Sequence, residues 1–262
     1  MESITLFKIF LSFVTGGIFT TITLYGAERY GPRIGGIIAG LPSTTAVGLF
    51  FIGFVQSPAD ASIATTVMPA SVAGSLIFVV AYVSLCAKTG YKIALLVASI
   101  IWLAISLPLA YYRFDDIYAA TLIFAVVWIA AFLYMKKIDT KVEMPKKVRY
   151  TALQVLTRAA FAGSVIAVAV LISSLLGPLW GGALAAFPAM FLTTFVILCR
   201  QYGYAYSTAF ARNTPLGLLG VIPYIWGVHY FYPEYGIVFG TILSYAVSFI
   251  AIGAVFVWTN RK

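Results

Sequence analysis

Charge is scarce in this sequence. Charged residues make up 10 % of the 262 residues, hydrophobic residues make up 62 %, and the mean hydropathy is +0.99. A water-soluble domain is about half apolar and about a quarter charged. A chain with so few charges cannot cover its surface in water, which excludes a soluble domain, a coiled coil, a disordered chain and a nucleic-acid-binding protein. The solvent of this chain is therefore predicted to be a lipid bilayer.

Residues that carry catalysis or bind metals are also rare. The sequence has one histidine and two cysteines, Cys86 and Cys199, without CxxC spacing, and we interpret the cysteines as small apolar residues kept reduced. His229 is flanked by aromatic residues and is expected to belong to an interfacial aromatic belt. There is no HExxH motif, no paired carboxylate within an apolar run and no glycine-rich phosphate loop followed by lysine. We therefore predict no enzyme, no metal and no cofactor.

Apolar runs of about 20 residues, separated by glycine and proline, predict transmembrane helices. Nine such runs are present. The first has no short apolar core with a small-residue cleavage site, so we expect it to be a retained span. One connection, at 136–149, is long and charged. The predicted spans are 5–26, 32–55, 62–87, 91–111, 117–135, 151–176, 178–199, 204–228 and 236–258.

The orientation follows from the positions of lysine and arginine. With nine alternating spans, thirteen of the 17 Lys and Arg residues fall on one face and two on the other. Because positive residues stay in the cytoplasm, we predict a plasma (inner) membrane protein with its N-terminus outside and its C-terminus inside. The net charge of +9 is thus interpreted as a topology signal. The other two, Arg158 and Arg212, lie inside spans, and Arg158 is expected to snorkel to the cytoplasmic headgroups.

The chain contains an internal repeat. GPRIGG at 31–36 aligns with GPLWGG at 177–182, an offset of 146 residues, and the same offset continues without a gap. Chance gives one or two Gly or Pro matches in such a composition, but not this whole set in one register across three helices. Beyond that motif the matched pairs are Gly17 with Gly163, Ala39 with Ala185, Pro42 with Pro188, Pro69 with Pro215, Gly74 with Gly220, and Gly90 with Gly236.

The repeat predicts an inverted architecture. Four crossings return the chain to its starting side, so a fifth crossing must reverse the second copy. We therefore predict an all-α polytopic membrane protein in which two four-helix units form an internal pseudo-dimer about an axis in the membrane plane, as in many transporters. Further oligomerisation is left open. The predicted divisions are repeat 1 at 1–112, a linker helix and cytoplasmic loop at 113–149, and repeat 2 at 150–262.

Each half also resembles a known family. A run of small residues ends in Leu41-Pro42 or Phe187-Pro188, and a later helix in each half contains proline. These features resemble the small four-helix inner-membrane proteins of the GlpM/YdgC type, over about 100 residues of each half. That family includes members thought to insert in both orientations, so this chain looks like an antiparallel pair fused through an extra helix. The resemblance implies a fold and no established activity.

The two matched prolines mark one candidate site. Pro42 and Pro188 lie about ten residues into their spans, or about 15 Å, near the middle of a bilayer core about 30 Å thick. A proline there leaves the carbonyl four residues earlier without its usual partner. The break could offer backbone groups to a substrate, or it could be a packing kink whose carbonyl a nearby threonine satisfies. The hydroxyl residues that follow are Ser43, Thr44, Thr45, Thr193 and Thr194.

Small residues four apart surround these breaks. Such pairs allow two helix backbones to approach closely. The pairs are Gly35 with Ala39, Gly36 with Gly40, Gly181 with Ala185, and Gly182 with Ala186.

Arg212 is the second candidate. It lies about 13 Å from the cytoplasmic end of its span, where an arginine costs about 2.5–3.5 kcal/mol and normally faces a cavity or a partner. No acidic residue is predicted at that depth, and the guanidinium fork suits a carboxylate or phosphate. The alternatives are capping of carbonyls freed in the broken spans, or snorkelling. Asn213, Thr214 and the repeat equivalent Thr66 complete the candidate set.

These features favour a transporter or facilitator with its site at the repeat interface near the bilayer midplane. The solute is expected to be small, and anionic or neutral rather than cationic. A passive anion channel is the alternative, followed by a lipid-handling or scaffold protein. The predicted partners are the lipid bilayer and the solute or ion, with no nucleic acid; the sequence names neither the solute nor a coupling ion.

Overall fold

The structure is a computed structural model that describes residues 2–28, 37–38, 41–138 and 151–260. All regular structure in these residues is helical. The GPRIGG motif, Ala39, Gly40 and residues 139–150, which include most of the predicted cytoplasmic loop, lie outside the described residues. The helices are α1 (Glu2–Glu28), α2 (Ser43–Val55), α3 (Pro58–Thr89), α4 (Tyr91–Tyr111), α5 (Ile117–Lys136), α6 (Ala152–Leu176), α7 (Pro178–Ala185), α8 (Ala189–Ala211), α9 (Thr214–Leu218) and α10 (Val221–Asn260).

Seven helical stretches within the described residues are long and apolar enough to cross a membrane, so the prediction of an all-helical membrane protein is confirmed at that level. Two of them are mostly buried inside the bundle and form its centre. These are Pro58–Thr89, 61 % buried, and Pro178–Ala211, 67 % buried, whereas the other five are 17–33 % buried.

Local sequence signals account for the ends of several helices. α3 begins with Pro58 at its first position, and the Ser57 side chain accepts a hydrogen bond from a backbone N–H of the first turn. Thr151 and Gln154 form a reciprocal capping box at the start of α6. Gly90 and Gly177 end α3 and α6 with φ of 78° and 103°, values that a residue with a Cβ rarely adopts.

The long helix α8 reverses direction at Gly203. This glycine has φ 81° and ψ 170°, which is not helical. Tyr82 of α3 stacks on Phe195 with ring centroids 4.4 Å apart and also hydrogen-bonds Ser207 at 2.6 Å. A straight helix would separate those two α8 residues by about 18 Å along its axis. One tyrosine touches both because the chain folds back between them.

α10 reverses in the same way at Gly236, which has φ 74° and ψ 174°. A Cβ added to Gly227 would lie 2.8 Å from Cα of Ser244, so the two arms are in close contact. Tyr232 and Thr241, on opposite arms, share a hydrogen bond of 2.7 Å. Each of these two long helical elements is therefore a hairpin of two helices.

The arm before Gly236 is longer than predicted. The sequence predicts an eighth span that ends at 228, before Pro233, yet the helix continues to Gly236. Proline cannot donate to the carbonyl four residues earlier, here that of His229. The Ser62 hydroxyl of α3 donates to this carbonyl at 2.7 Å instead. A distant side chain thus satisfies the group that proline leaves open, and the helix need not stop.

α1 and α6 pack with unusually close backbones. A Cβ added to Gly17 would lie 2.6 Å from the Ala159 carbonyl oxygen, and one added to Gly163 would overlap the Phe13 carbonyl oxygen. Only glycine allows this approach, because no real side chain tolerates a backbone atom at such distances. The contact therefore depends on both glycines.

Gly163→Ala is expected to destabilise the protein by about 1–3 kcal/mol, because the added methyl group must push α1 and α6 apart. Thermal unfolding in detergent measures the effect. Gly253→Ala is the matched control, since a Cβ at that helical glycine would meet nothing within 4 Å. Equal melting temperatures for the two variants would contradict the close packing of α1 on α6.

Candidate functional site

Pro42 and Pro188 break their helices with the same backbone geometry. Pro42 has φ −72° and ψ 59°, and Pro188 has φ −76° and ψ 47°. These values are close to those of an inverse γ-turn. The N–H of Ser43 donates to the Leu41 carbonyl at 2.7 Å, and the N–H of Ala189 donates to that of Phe187 at the same distance. Each proline is therefore the centre of a tight turn from which a new helix starts.

The turns satisfy the carbonyls that the prolines leave open. The N–H of Leu41 donates to the Ile38 carbonyl at 3.0 Å, and that of Phe187 donates to the Leu184 carbonyl at 2.9 Å. Each carbonyl thus has a backbone partner, and among the described residues no threonine hydroxyl bonds either of them. Thr193 instead bonds the Ala189 carbonyl of its own helix at 3.1 Å. Substrate binding at the breaks stays a prediction.

The two breaks lie against each other. The Ser43 hydroxyl is 3.3 Å from the sulfur of Met190. A Cβ added to Gly48 would lie 2.8 Å from Cβ of Ala185, so α2 also packs closely on α7. The structure thus brings the segments that follow Pro42 and Pro188 into contact, but this contact does not include Thr193 or Thr194.

A small void lies at this junction. Its volume is about 30 Å³, enough for about two water molecules. Thr44 and Thr45 line it from α2, and Ser75 lines it from α3. The remaining lining residues are Leu41, Val72, Ala186, Phe187, Pro188, Met190, Phe191, Leu218 and Val221.

Hydroxyl groups from the other half of the chain cap each break. The Ser75 hydroxyl donates to the Ala186 carbonyl at 2.9 Å, and the Trp102 ring N–H lies 3.1 Å from the same serine oxygen. The Tyr245 hydroxyl donates to the Pro42 carbonyl at 3.3 Å. Ser75 and Tyr245 are not predicted from the sequence, because nothing local links them to prolines more than 100 residues away.

Comparison of the chain with protein-family models, with curated proteins and with solved structures finds no match. The resemblance to the GlpM/YdgC type remains a prediction.

Arg212 and Asn213 occupy a second break, between α8 and α9. The Asn213 amide donates to the Ala209 carbonyl at 3.1 Å. The Trp128 ring N–H of α5 donates to the Pro215 carbonyl at 2.7 Å. Arg212 is half-buried and has interactions of its own. Arg212 itself keeps helical φ/ψ of −54° and −33°, and its N–H donates to the Thr208 carbonyl at 2.9 Å. The helix tightens just after it, where the Asn213 N–H donates to the Phe210 carbonyl at 3.2 Å. The repeat equivalent, Thr66, lies within the continuous helix α3.

Two predicted threonines are buried without hydrogen bonds. Thr194 of α8 and Thr214 of α9 are both 0 % exposed, and neither hydroxyl has a partner within the part of the chain that the structure describes. Most buried hydroxyls in proteins are paired. These two hydroxyls therefore have unused hydrogen-bonding capacity inside the bundle.

Thr66 lies in a larger cleft and not at the void. This cleft measures about 780 Å³ and is open on one side, within the range of small-molecule sites. Asp60, Arg113 and Asp115 supply its charged groups. The other lining residues are Ile63, Ala110, Tyr111, Leu176, Gly177, Pro178, Leu179 and Trp180.

α7 connects the cleft to the void. Its first residues, Pro178 to Trp180, line the cleft, and the residues just after its end, Ala186 to Pro188, line the void. The helix has eight residues, about 12 Å. Between the two spaces a Cβ on Gly182 would overlap the Ala64 carbonyl of α3. The small-residue spacing predicted a close contact here, and the structure identifies its partner.

The structure also places Arg158 and His229, and the aromatic belt predicted for His229 stays a prediction. Arg158 is 4 % exposed within the bundle, so the prediction that it snorkels is wrong. The Nδ1 atom of His229 lies 2.9 Å from the Thr65 hydroxyl of α3. The His229 ring also packs against the Tyr230 ring in an edge-to-face contact. No group of three or more potential metal ligands occurs in the described residues.

Proposed function

We propose that the protein is a membrane transporter or facilitator for a small anionic or neutral solute, built as two inverted four-helix units joined by α5. It would lie in the plasma membrane with its N-terminus outside. The site is the junction of the two proline breaks. Arg212, which lies at the break between α8 and α9 and does not line the void, would contribute the charge. The observation that carries the proposal is the shared geometry of the two breaks and the void between them.

Equal backbone geometry at repeat positions supports the two units. Pro42 and Pro188 adopt the same turn, and they are 146 residues apart in sequence. Gly90 and Gly236, separated by the same offset, have φ/ψ of 78°/160° and 74°/174°. Each glycine reverses the chain between two long helices. With Gly203 as a further reversal, the described helices are compatible with nine crossings.

Reciprocal contacts support a two-fold relation between the units. Gly17 packs on Ala159 and Gly163 packs on Phe13. In the repeat register Gly17 corresponds to Gly163, and Phe13 corresponds to Ala159. A contact in which position i of one copy meets position j of the other, and j meets i, is the mark of a two-fold axis. The pairing of 17 with 159 and of 13 with 163 also makes α1 and α6 antiparallel at this contact. This favours two inverted units over two units that point the same way.

The two spaces support alternating access. The cleft and the void lie at opposite ends of α7, and Gly182, between these ends, contacts the Ala64 carbonyl of α3. Gly182 and Ala64 belong to different halves, so a rocking motion of one unit against the other would open this contact. A closed contact between the halves favours a carrier over an open channel.

Solute counterflow in proteoliposomes tests the proposal. Vesicles preloaded with an unlabelled candidate solute are expected to accumulate the labelled solute in a saturable way, across a panel of small anionic and neutral compounds. Large unsaturated anion currents would instead identify a passive channel. Absence of both, with a closed and dry junction, would indicate a lipid-handling or scaffold protein.

A further inference from the structure

Arg113, just after α4, has a left-handed backbone conformation that residues other than glycine rarely adopt. Its φ is 54°, and among the described non-glycine residues it alone has a positive φ. Its N–H donates to the Ala110 carbonyl at 3.2 Å, and that of Phe114 donates to the Leu109 carbonyl at 2.8 Å. These two bonds form a Schellman motif, whose left-handed position is usually glycine. Residues held in strained backbone conformations cluster at functional sites.

Arg113 also departs from the charge pattern of the chain. It is one of the two Lys and Arg residues that the topology assigns to the outer side, against thirteen on the inner side. Neither helix capping nor membrane orientation therefore explains an arginine here.

The side chain lines the large cleft, together with Asp60 and Asp115. Arg113 and Asp115 are both exposed. Asp60 accepts a hydrogen bond from the Ser57 hydroxyl at 2.6 Å. Within the described part of the chain the guanidinium forms no ion pair with either carboxylate, although both charges border the same space. The three groups are thus arranged around the cleft rather than neutralised by one another.

We infer that the cleft binds a small zwitterion. The planar guanidinium of Arg113 fits a carboxylate or phosphate with two parallel hydrogen bonds. The Asp60 and Asp115 carboxylates attract an ammonium group and repel a ligand that is only anionic. Tyr111 and Trp180 supply aromatic surface for the carbon skeleton between the two charges. The outward orientation of the cleft rests on the proposed topology, but the binding chemistry does not.

Two sources can present this chemistry. One is a free zwitterionic solute that enters the cleft from water, which would make the cleft the outer entrance of the proposed carrier. The other is the phosphoethanolamine headgroup of a neighbouring lipid. Both carry one anionic group and one ammonium group, so the same residues would recognise them.

Isothermal titration on the full-length protein in phosphatidylglycerol vesicles tests the inference. The probe is glycerophosphoethanolamine; glycerophosphoglycerol supplies the anionic group alone, and ethanolamine the ammonium group alone. We expect the zwitterion to bind at least tenfold more tightly than either control. Equal binding of glycerophosphoglycerol, or no binding of the zwitterion, would overturn the inference.

Arg113→Gly separates ligand binding from structure. Glycine relieves the left-handed strain, so the melting temperature is expected to rise, while affinity for glycerophosphoethanolamine falls at least tenfold. Arg200→Ala, at an exposed arginine assigned to the inner face, is expected to change neither quantity. Unchanged affinity in Arg113→Gly would overturn the assignment of the guanidinium.

Repeating the titration in phosphatidylethanolamine vesicles identifies the source. A tenfold weaker apparent affinity there would mean that the lipid headgroup competes for the cleft, whereas equal affinity would assign it to an aqueous solute. Binding without any counterflow of the same probe would refute the proposed carriage of that solute and leave the binding site standing.

Discussion

Arg212→Ala is expected to abolish solute flux in proteoliposomes while insertion and expression stay near those of the unmodified protein. The arginine lies at the end of α8, before the tightened turn that leads to α9. This position is deep in the predicted span, where a cation is costly unless it serves a ligand or a partner. In the proposed carrier it supplies the positive charge that stabilises an anionic group of the solute. Flux of a labelled solute, normalised to the amount of folded protein, measures the change.

Arg212→Lys is the companion variant. Lysine keeps the charge and loses the planar fork, so partial flux with weakened solute affinity is expected. A structural arginine would behave differently: the alanine variant would fail to fold, and lysine would restore both folding and flux. That outcome would contradict a role in solute binding.

Gly182→Ala is also expected to abolish flux, through the contact between the halves. The added Cβ would overlap the Ala64 carbonyl oxygen, and both its carbonyl carbon and Cα would lie within 3.0 Å. Backbone atoms cannot rotate away, so α3 and α7 must separate. We expect this to connect the cleft with the void and to hold the carrier in one conformation.

A cysteine at Thr44, in a protein lacking Cys86 and Cys199, reports on this opening. Thr44 lines the void, so a membrane-impermeant thiol reagent is expected to reach it much faster when Gly182 is alanine. Gly253→Ala, at a glycine with open space around it, is the control and should leave both labelling and flux unchanged. Normal flux and slow labelling in Gly182→Ala would show that this contact is not a gate.

Local signals in the sequence predicted the points where helices start, break and turn. Pro42 and Pro188 remove a helical hydrogen bond wherever they occur, and glycines such as Gly90 and Gly236 permit a backbone conformation that other residues resist. Both effects act on the backbone within a few residues, so the position of a proline or glycine in the sequence is enough to predict them. The small-residue spacing around Gly182 likewise predicted a close helix contact.

Groups that act across the fold left no such signal. Ser75 donates to the Ala186 carbonyl, 111 positions away in sequence. Ser62 donates to the His229 carbonyl, which Pro233 leaves open and which is 167 positions away. Nothing in the spacing of these serines distinguishes them from other hydroxyls in apolar helices. Arg158 was misjudged for the same reason, because depth along a span does not tell whether a side chain faces the bundle or the lipid.

Impermeant thiol labelling of two repeat-equivalent positions is the most direct test of the inverted architecture. Single cysteines would replace Lys88 and Glu234, which are 146 residues apart and both exposed, in a protein lacking Cys86 and Cys199. Positions 115 and 140 serve as references for the outer and inner faces. The account predicts that 234 and 115 label from outside and that 88 and 140 do not. Labelling of 88 and 234 from the same side would contradict an inverted repeat.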